Sequence, residues 1–516
     1  MFSYKLQKNF GAVYDRANLV FSPDGTRLYS PCGNKIMMFN IQNSDSKALP
    51  LQIMYNIDKI DLNTNGSLMI VVNEKSQLLI ISMVSNTVLH RKDFQEMGKI
   101  YDLKFSPNGQ YYAVCGSKQI NVYFTPGFTV KGGGRLFTPF KLKEIIKASN
   151  EDMTNIAWNS TSQLLMVTSK DFTMRIYPID KKLAERCKPL SLTAHNDFIV
   201  GAFFSSDKNH PLNVYSISRN GQLFSWQANY QTLEELCNQE EIKFLNYRIV
   251  KKKYLFEDIK DVYSSTKVTS FAYKEQTKLL IVGFSNGQFL LYELPQMILI
   301  HAREIATKGP ITSLTFNRKG TLIALGSGVG IGTKYDIDHE VSNSTHLIVW
   351  DWQSESYLLK QSGYSNNVSN SYECFGFSNT GDTIVTGSTD GTIKVWNKQS
   401  GFSSHTFKEH KGPITALEFV PNKNGKVFVS SSLDGTVKVH DLNRYRTFRT
   451  LAAPNENKPA QFICLAVDKI SGDFIAAGSH NMFEIHLWSL KTGRLLDILS
   501  GEFYTFIIFF VSTFFF

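Results

Sequence analysis

Cysteine is scarce in this chain and is nowhere arranged for chemistry. The 516 residues include six, Cys32, Cys115, Cys187, Cys237, Cys374 and Cys464, far apart and without a C-x-x-C pair. That spacing excludes a disulfide framework and a thiolate zinc site, so the thiols are expected to be reduced core residues of an intracellular protein. The opening residues MFSYKLQKNF lack the apolar run of a secretory signal. H-E-x-x-H and complete EF-hand patterns are also missing, which removes the commonest zinc-protease and calcium signatures. The glycine string from Gly326 to Lys334 matches neither phosphate-loop pattern, and no helix is expected after it. It reads as a flexible hairpin loop. No catalytic residue, cofactor or metal ligand is expected.

Charge is sparse too. Only 19% of residues are charged, and a net charge of +10 is a mild basic excess that permits a nucleic-acid neighbourhood without demonstrating one. Hydrophobic residues make up 42% and aromatics 13%, enough to fold. A chain this long is expected to divide into two or more domains.

What is abundant is punctuation. Glu373–His410 holds four short β-like runs, broken at Asn379-Thr380-Gly381, Asp390-Gly391 and Ser400-Gly401, and a new run starts at Ile414. Asp-Gly between alternating apolar residues marks a tight hairpin. A four-stranded antiparallel unit that ends where a like unit begins is a propeller blade. Copies recur along the chain: Gly66 and Gly109 occupy the same turn 43 residues apart, within the roughly 40–45 expected of such repeats. Ten units can be counted. The fold expected is all-β, one complete seven-bladed ring over 1–364 and three blades of a second over 365–501. FSYKLQ near the amino terminus is read as a stray outer strand. Insertions are placed at 125–149, 229–266 (with a helical-looking acidic stretch, Leu233–Glu241) and 330–345.

Residues 502–516 break the pattern. The apolar run Phe503–Phe516 is shorter than the roughly 18 residues of a membrane span and has no basic flank. It is expected to lie outside the native fold, with a tail anchor as the rival reading. Neither a membrane nor a small-molecule substrate is expected as a partner.

The unit at Glu373–His410 also resembles the WD-repeat family, in which His, Ser or Thr, Asp and Trp form a buried hydrogen-bond network within each blade. The resemblance assigns Ser388, Asp390 and Trp396 to that network in blade 8, with Tyr364 where His is expected. In blade 9 it assigns His410, Ser432 and Asp434, with His440 in the Trp position. In blade 5 it assigns His195 and Trp226, with Asn220 in the Asp position. A His–Ser–Asp set can look catalytic, but its partial recurrence at fixed offsets from turns is the behaviour of a structural device.

Three basic clusters carry aromatics and are the candidate RNA or partner contacts. They are Lys131, Arg135, Lys141, Lys143 and Lys147 with Phe137 and Phe140; Lys251, Lys252 and Lys253 with Tyr254 and Phe256; and Arg444, Arg446 and Arg449 with Tyr445 and Phe448. Such clusters contact RNA by phosphate pairing and stacking. The bland reading is a solvated blade edge with its aromatics turned inward.

Three stretches go further: WDWQSESYLLKQSGY at Trp350–Tyr364, LDGTVKVHDLNRYRTFRTL at Leu433–Leu451 and FEIHLWSLKTGRLLDILSG at Phe483–Gly501. With GAVYDRANLVFSPDG near the start, they closely resemble the periodic tryptophan protein 2 family over essentially residues 1–501. That resemblance implies tandem propellers in a non-catalytic, nucleolar role. It implies a place in the small-subunit processome, in the U-three small nucleolar ribonucleoprotein subcomplex, supporting ribosomal RNA precursor processing and small-subunit assembly. Other WD-repeat processome proteins, pre-ribosomal RNA and small nucleolar RNA are the implied partners. The alternative is a WD-repeat adaptor elsewhere, such as a ubiquitin-ligase substrate receptor or a vesicle coat.

Overall fold

The computed structural model describes residues 13–500 except 16, 52, 118, 132–133, 148–150, 185–188, 206–209, 234, 236–244, 260–265, 306–308, 329–343, 365–371, 422, 424 and 455–459. The FSYKLQ run, most of Leu233–Glu241, nearly all of 330–345, Cys187, Cys237 and the apolar tail therefore lie outside the described residues. No described helix is long and apolar enough to cross a membrane.

Ten four-stranded antiparallel sheets follow one another along the chain, each in the order inner, second, third, outer strand. Blade 1 begins at Val20–Phe21 and blade 10 ends at Leu495–Ser500. Burial follows position in the sheet. The second strand of blade 4, Leu164–Ser169, is buried throughout, because neighbouring blades cover both its faces. The outer strand of blade 2, Thr87–Asp93, is exposed almost throughout. Turn chemistry sets the hairpins: Gly391 sits at φ +78°, and a side chain there would come within 2.6 Å of the His410 carbonyl oxygen.

The chain divides into two compact units, the first holding most of the chain up to Ser365 and the second Asn366 onward together with Ser44–Ser46. In the first, blades 1–7 form a closed ring. The closure is made by the segment just ahead of the first strand. Tyr14, fully buried, bonds through its hydroxyl to Thr312 Oγ1 at 2.6 Å, and the Leu19 N–H donates to Ser313 Oγ at 2.9 Å. Gly326 makes room for this: a Cβ there would lie 2.4 Å from the Tyr14 ring. The second unit contains blades 8–10, packed in sequence around cores such as Val429, Val437, Phe462 and Trp488.

Two stretches read as insertions supply missing strands. Within 125–149, Gly127–Lys131 and Gly134–Thr138 form a separate hairpin, and Leu142–Ile146 is the outer strand of blade 3. Within 229–266, Tyr247–Tyr254 is the outer strand of blade 5. Tyr247–Tyr254 (YRIVKKKY) was hidden by its lysine-rich composition, and Leu142–Ile146 (LKEII) by its shortness and lack of regular alternation.

Candidate functional site

The blade networks are built around a hydroxyl on the second strand. In blade 5, His195 Nε2 lies 2.7 Å from Ser216 Oγ, and Trp226 Nε1 donates to the same oxygen at 2.9 Å. Asn220 does not replace the missing carboxylate, since its Oδ1 accepts from Ser218 instead. Burial lowers the His195 pKa to about 4, which keeps the ring neutral.

In blade 9 the network is a relay. His410 Nδ1 meets Asp434 Oδ2 at 2.9 Å and His410 Nε2 meets Ser430 Oγ at 2.8 Å. Ser430 Oγ lies 2.8 Å from His440 Nε2, and His440 Nδ1 lies 2.8 Å from Thr447 Oγ1. Burial, with smaller electrostatic contributions from the neighbouring His410 and Lys438, holds the His440 pKa well below its usual value. The Asp434 carboxylate accepts from His410 Nδ1–H, and a neutral His440 has one donor and one acceptor nitrogen to share between Ser430 and Thr447. Burial alone would raise the Asp434 pKa. Hydrogen bonds from His410, Thr436 and the Lys411 N–H outweigh it and hold the carboxyl well below the usual carboxylate range.

Two serines change place. The hydroxyls in the networks are Ser430, not Ser432, and in blade 8 Thr386, not Ser388. Trp396 Nε1 donates to Thr386 Oγ1 at 2.9 Å, whereas the buried Ser388 hydroxyl has no hydrogen-bond partner among the described residues. Ser432 bonds the Gly412 carbonyl at 3.0 Å and accepts from the Asp434 N–H, closing a turn. Asp390 likewise caps its own turn, through the N–H and hydroxyl of Thr392. Each pair of serine positions lies two residues apart on one face of a strand, so alternation does not separate them. A usable signal was present: each network hydroxyl stands ten residues before its Trp or His partner.

Asp434, His410 and Ser430 have the bonding order of a nucleophilic triad. Ser430 has no exposed surface, and His440 occupies its remaining hydrogen-bonding direction. No substrate reaches it. Among the described residues, no group of three or more His, Cys, Asp or Glu is placed to hold a metal ion.

Sequence reasoning missed a second set, which stitches the inner strands of neighbouring blades. Asn18 Oδ1 accepts from the Ile60 N–H at 2.9 Å, Asp61 from Phe105 at 2.7 Å and Asp102 from Ile156 at 3.0 Å. Ser270 Oγ donates to the Ile311 carbonyl at 2.7 Å. In the second unit, Glu418 accepts from the Val467 N–H at 2.8 Å. Burial raises the Asp61 pKa to about 7 despite the bond from Phe105.

The basic clusters sort into committed and available cations. Lys253 is committed: it pairs with Asp258 at 2.7 Å, donates to the Met297 carbonyl of blade 6 at 3.1 Å and lies over the Tyr292 ring. Lys251 reaches the Pro295 carbonyl at 3.5 Å, and Lys252 lies over Phe224. Arg449 is committed to the Lys491 carbonyl of blade 10 at 2.6 Å. Arg444 and Arg446 are exposed at the start of the outer strand of blade 9, and Tyr445 stacks on His405 at 4.9 Å. In blade 3, Lys141 and Lys147 are exposed and Lys143 is half-buried. Lys131 and Arg135 sit on the paired strands of the hairpin. Phe137 stacks on His90 at 5.3 Å, and Phe140 packs edge-on against Phe94 at 6.4 Å. Both rings are half-buried.

Among known proteins, the WD domain, G-beta repeat family matches residues 358–397 and 401–441. The periodic tryptophan protein 2 homolog of Dictyostelium discoideum is 34% identical, over 97% of this chain and 53% of its own length. The Mus musculus homolog is 35% identical over 97% and 54%, and periodic tryptophan protein 2 of Saccharomyces cerevisiae is 35% identical over 97% and 51%. The chain spans about half the length of the curated relatives it matches.

Proposed function

Because this chain belongs to the periodic tryptophan protein 2 family, matched along 97% of its length, we propose that it is a non-catalytic scaffold for ribosome biogenesis. In this reading it serves in the small-subunit processome within the nucleolus, where it joins the U-three small nucleolar ribonucleoprotein subcomplex. There it supports cleavage and maturation of the small-subunit ribosomal RNA precursor. The observation that carries the reading is the extent of the similarity, which runs through every described blade rather than stopping at the repeat signature.

The geometry suits the role. Polar sets that would serve catalysis are sealed inside blades, as Ser430 is. The outer strands, by contrast, present long exposed edges to partners. Rigid rings with many such edges hold several proteins at once without needing an active pocket. The test is affinity purification of the protein followed by identification of bound RNA and protein. Precursor ribosomal RNA and other WD-repeat processome proteins are expected in the eluate; their absence sinks the reading. Depletion is expected to accumulate unprocessed precursor and lower small-subunit RNA.

A further inference from the structure

We propose that Gln222 supplies the acceptor that blade 5 lacks: its Oε1 takes a hydrogen bond from the Nδ1–H of His195. The bond is a latch between two segments. His195 lies in the connection between the outer strand of blade 4, Leu190–Thr193, and the inner strand of blade 5, Ile199–Phe204. Gln222 opens the third strand of blade 5, Gln222–Ala228. His195 Nδ1 and Gln222 Oε1 are both buried, and neither has a hydrogen-bond partner among the described residues. Buried polar atoms left so are costly, and one bond between these two satisfies both.

Blade 9 demonstrates that this position reaches the ring. Ser432 and Ser218 each end a second strand, and the residues two and four further on are Asp434 and Thr436 in blade 9, Asn220 and Gln222 in blade 5. The turns are built alike. Asp434 Oδ1 accepts from the Thr436 N–H at 3.0 Å, as Asn220 Oδ1 accepts from the Gln222 N–H at 3.4 Å. Thr436 Oγ1 lies 3.2 Å from His410 Nδ1. Gln222 holds the Thr436 position with a longer side chain and a carbonyl oxygen at its end.

The rest of the network places the proton. Ser216 Oγ accepts from Trp226 Nε1 at 2.9 Å and keeps one hydrogen of its own to donate, and His195 Nε2 stands 2.7 Å away to accept it. A neutral ring that accepts at Nε2 carries its proton on Nδ1. The other tautomer would set a bare Nδ1 against Gln222 Oε1, two acceptors with no proton between them. Burial opposes charge on the ring and Gln222 favours it, the direction expected of an oxygen acceptor at Nδ1. Phe224 stacks on the ring at 4.4 Å, and Lys252 lies over Phe224 at 5.2 Å. The latch is thus neutral, where that of blade 9 rests on the Asp434 carboxylate.

The test is long-range proton–nitrogen correlation NMR of the full chain with labelled histidine, His195 being assigned by the signal lost in His195→Gln. At neutral pH the expected ring is the Nδ1–H tautomer, its proton slow to exchange with water. Gln222→Leu should speed that exchange by roughly tenfold. Gln222→Glu keeps an oxygen acceptor and adds charge, and should raise the pH at which the ring titrates by at least about 1. Should Gln222→Leu fail to fold, the tautomer and the Gln222→Glu titration decide. An Nε2–H tautomer in the wild type overturns the proposal. So does an unchanged exchange rate in Gln222→Leu or an unmoved titration in Gln222→Glu. No binding partner enters these readouts, so the proposed function stands or falls separately.

Discussion

The Leu19 N–H donates to the Ser313 hydroxyl at 2.9 Å across 294 residues of sequence. This bond, with Tyr14 on Thr312, turns seven consecutive blades into a ring. The cost of joining such distant points is set mainly by loop entropy, which grows only slowly with length. A few well-buried bonds and the Tyr14 ring suffice to offset it.

Gly326→Ala is expected to open the ring at this seam. The added methyl meets the Tyr14 ring, which has no room to retreat, and overpacking of this kind costs about 1–3 kcal/mol. Ser313→Ala should cost less, about 1 kcal/mol. Hydrogen exchange is the measurement: amides of blades 1 and 7 should lose protection before those of blade 4. Uniform loss across the ring would contradict the seam.

Thr386→Val and Ser388→Ala separate the two hydroxyls of blade 8. The first leaves the buried Trp396 indole N–H without its Thr386 acceptor and is expected to destabilise by about 1–3 kcal/mol. The second removes a hydroxyl that has no partner among the described residues and should be neutral or slightly stabilising. Denaturant titration of both variants decides which position belongs to the network.

The relay of blade 9 makes the second unit sensitive to acid. Asp434 has a folded pKa below its unfolded one, so its contribution is present above about pH 4 and is lost as pH falls toward the folded value. His410→Phe removes one of several hydrogen bonds to the carboxylate and should cost about 1–3 kcal/mol at neutral pH. Below pH 4 that difference should shrink. Thermal unfolding of wild type and variant across pH checks both the size and the sign.

Phe375 and Phe377 are 70% and 58% exposed on the inner strand of blade 8. Gly376, between them, faces Phe419 and the Leu417 carbonyl of blade 9, so the two rings point the opposite way from blade 9. Exposed neighbouring apolar rings promote association. The chain is expected to self-associate with rising concentration in sedimentation, and Phe375→Ser/Phe377→Ser should reduce this with the unfolding midpoint unchanged.

The sequence by itself determined the ten blades, because each is a local object: turn residues at fixed offsets and strands of period two are written within about forty residues. The resemblance to WD repeats assigned Trp226, Trp396, His410 and Asp434 to the networks, and in the structure these residues hydrogen-bond within their blades. Tertiary structure decided the rest. Ser430 rather than Ser432, and Thr386 rather than Ser388, follow from which residue stands opposite the partner on the next strand, and alternation leaves both on one face. The outer strands Leu142–Ile146 and Tyr247–Tyr254 carry no regular apolar alternation, since water rather than a core faces most of their residues. Lys253 and Arg449 became structural only when the turn of the next blade supplied a carbonyl to hold them. The closing of the first ring rests on contacts between its two ends, which no local pattern encodes.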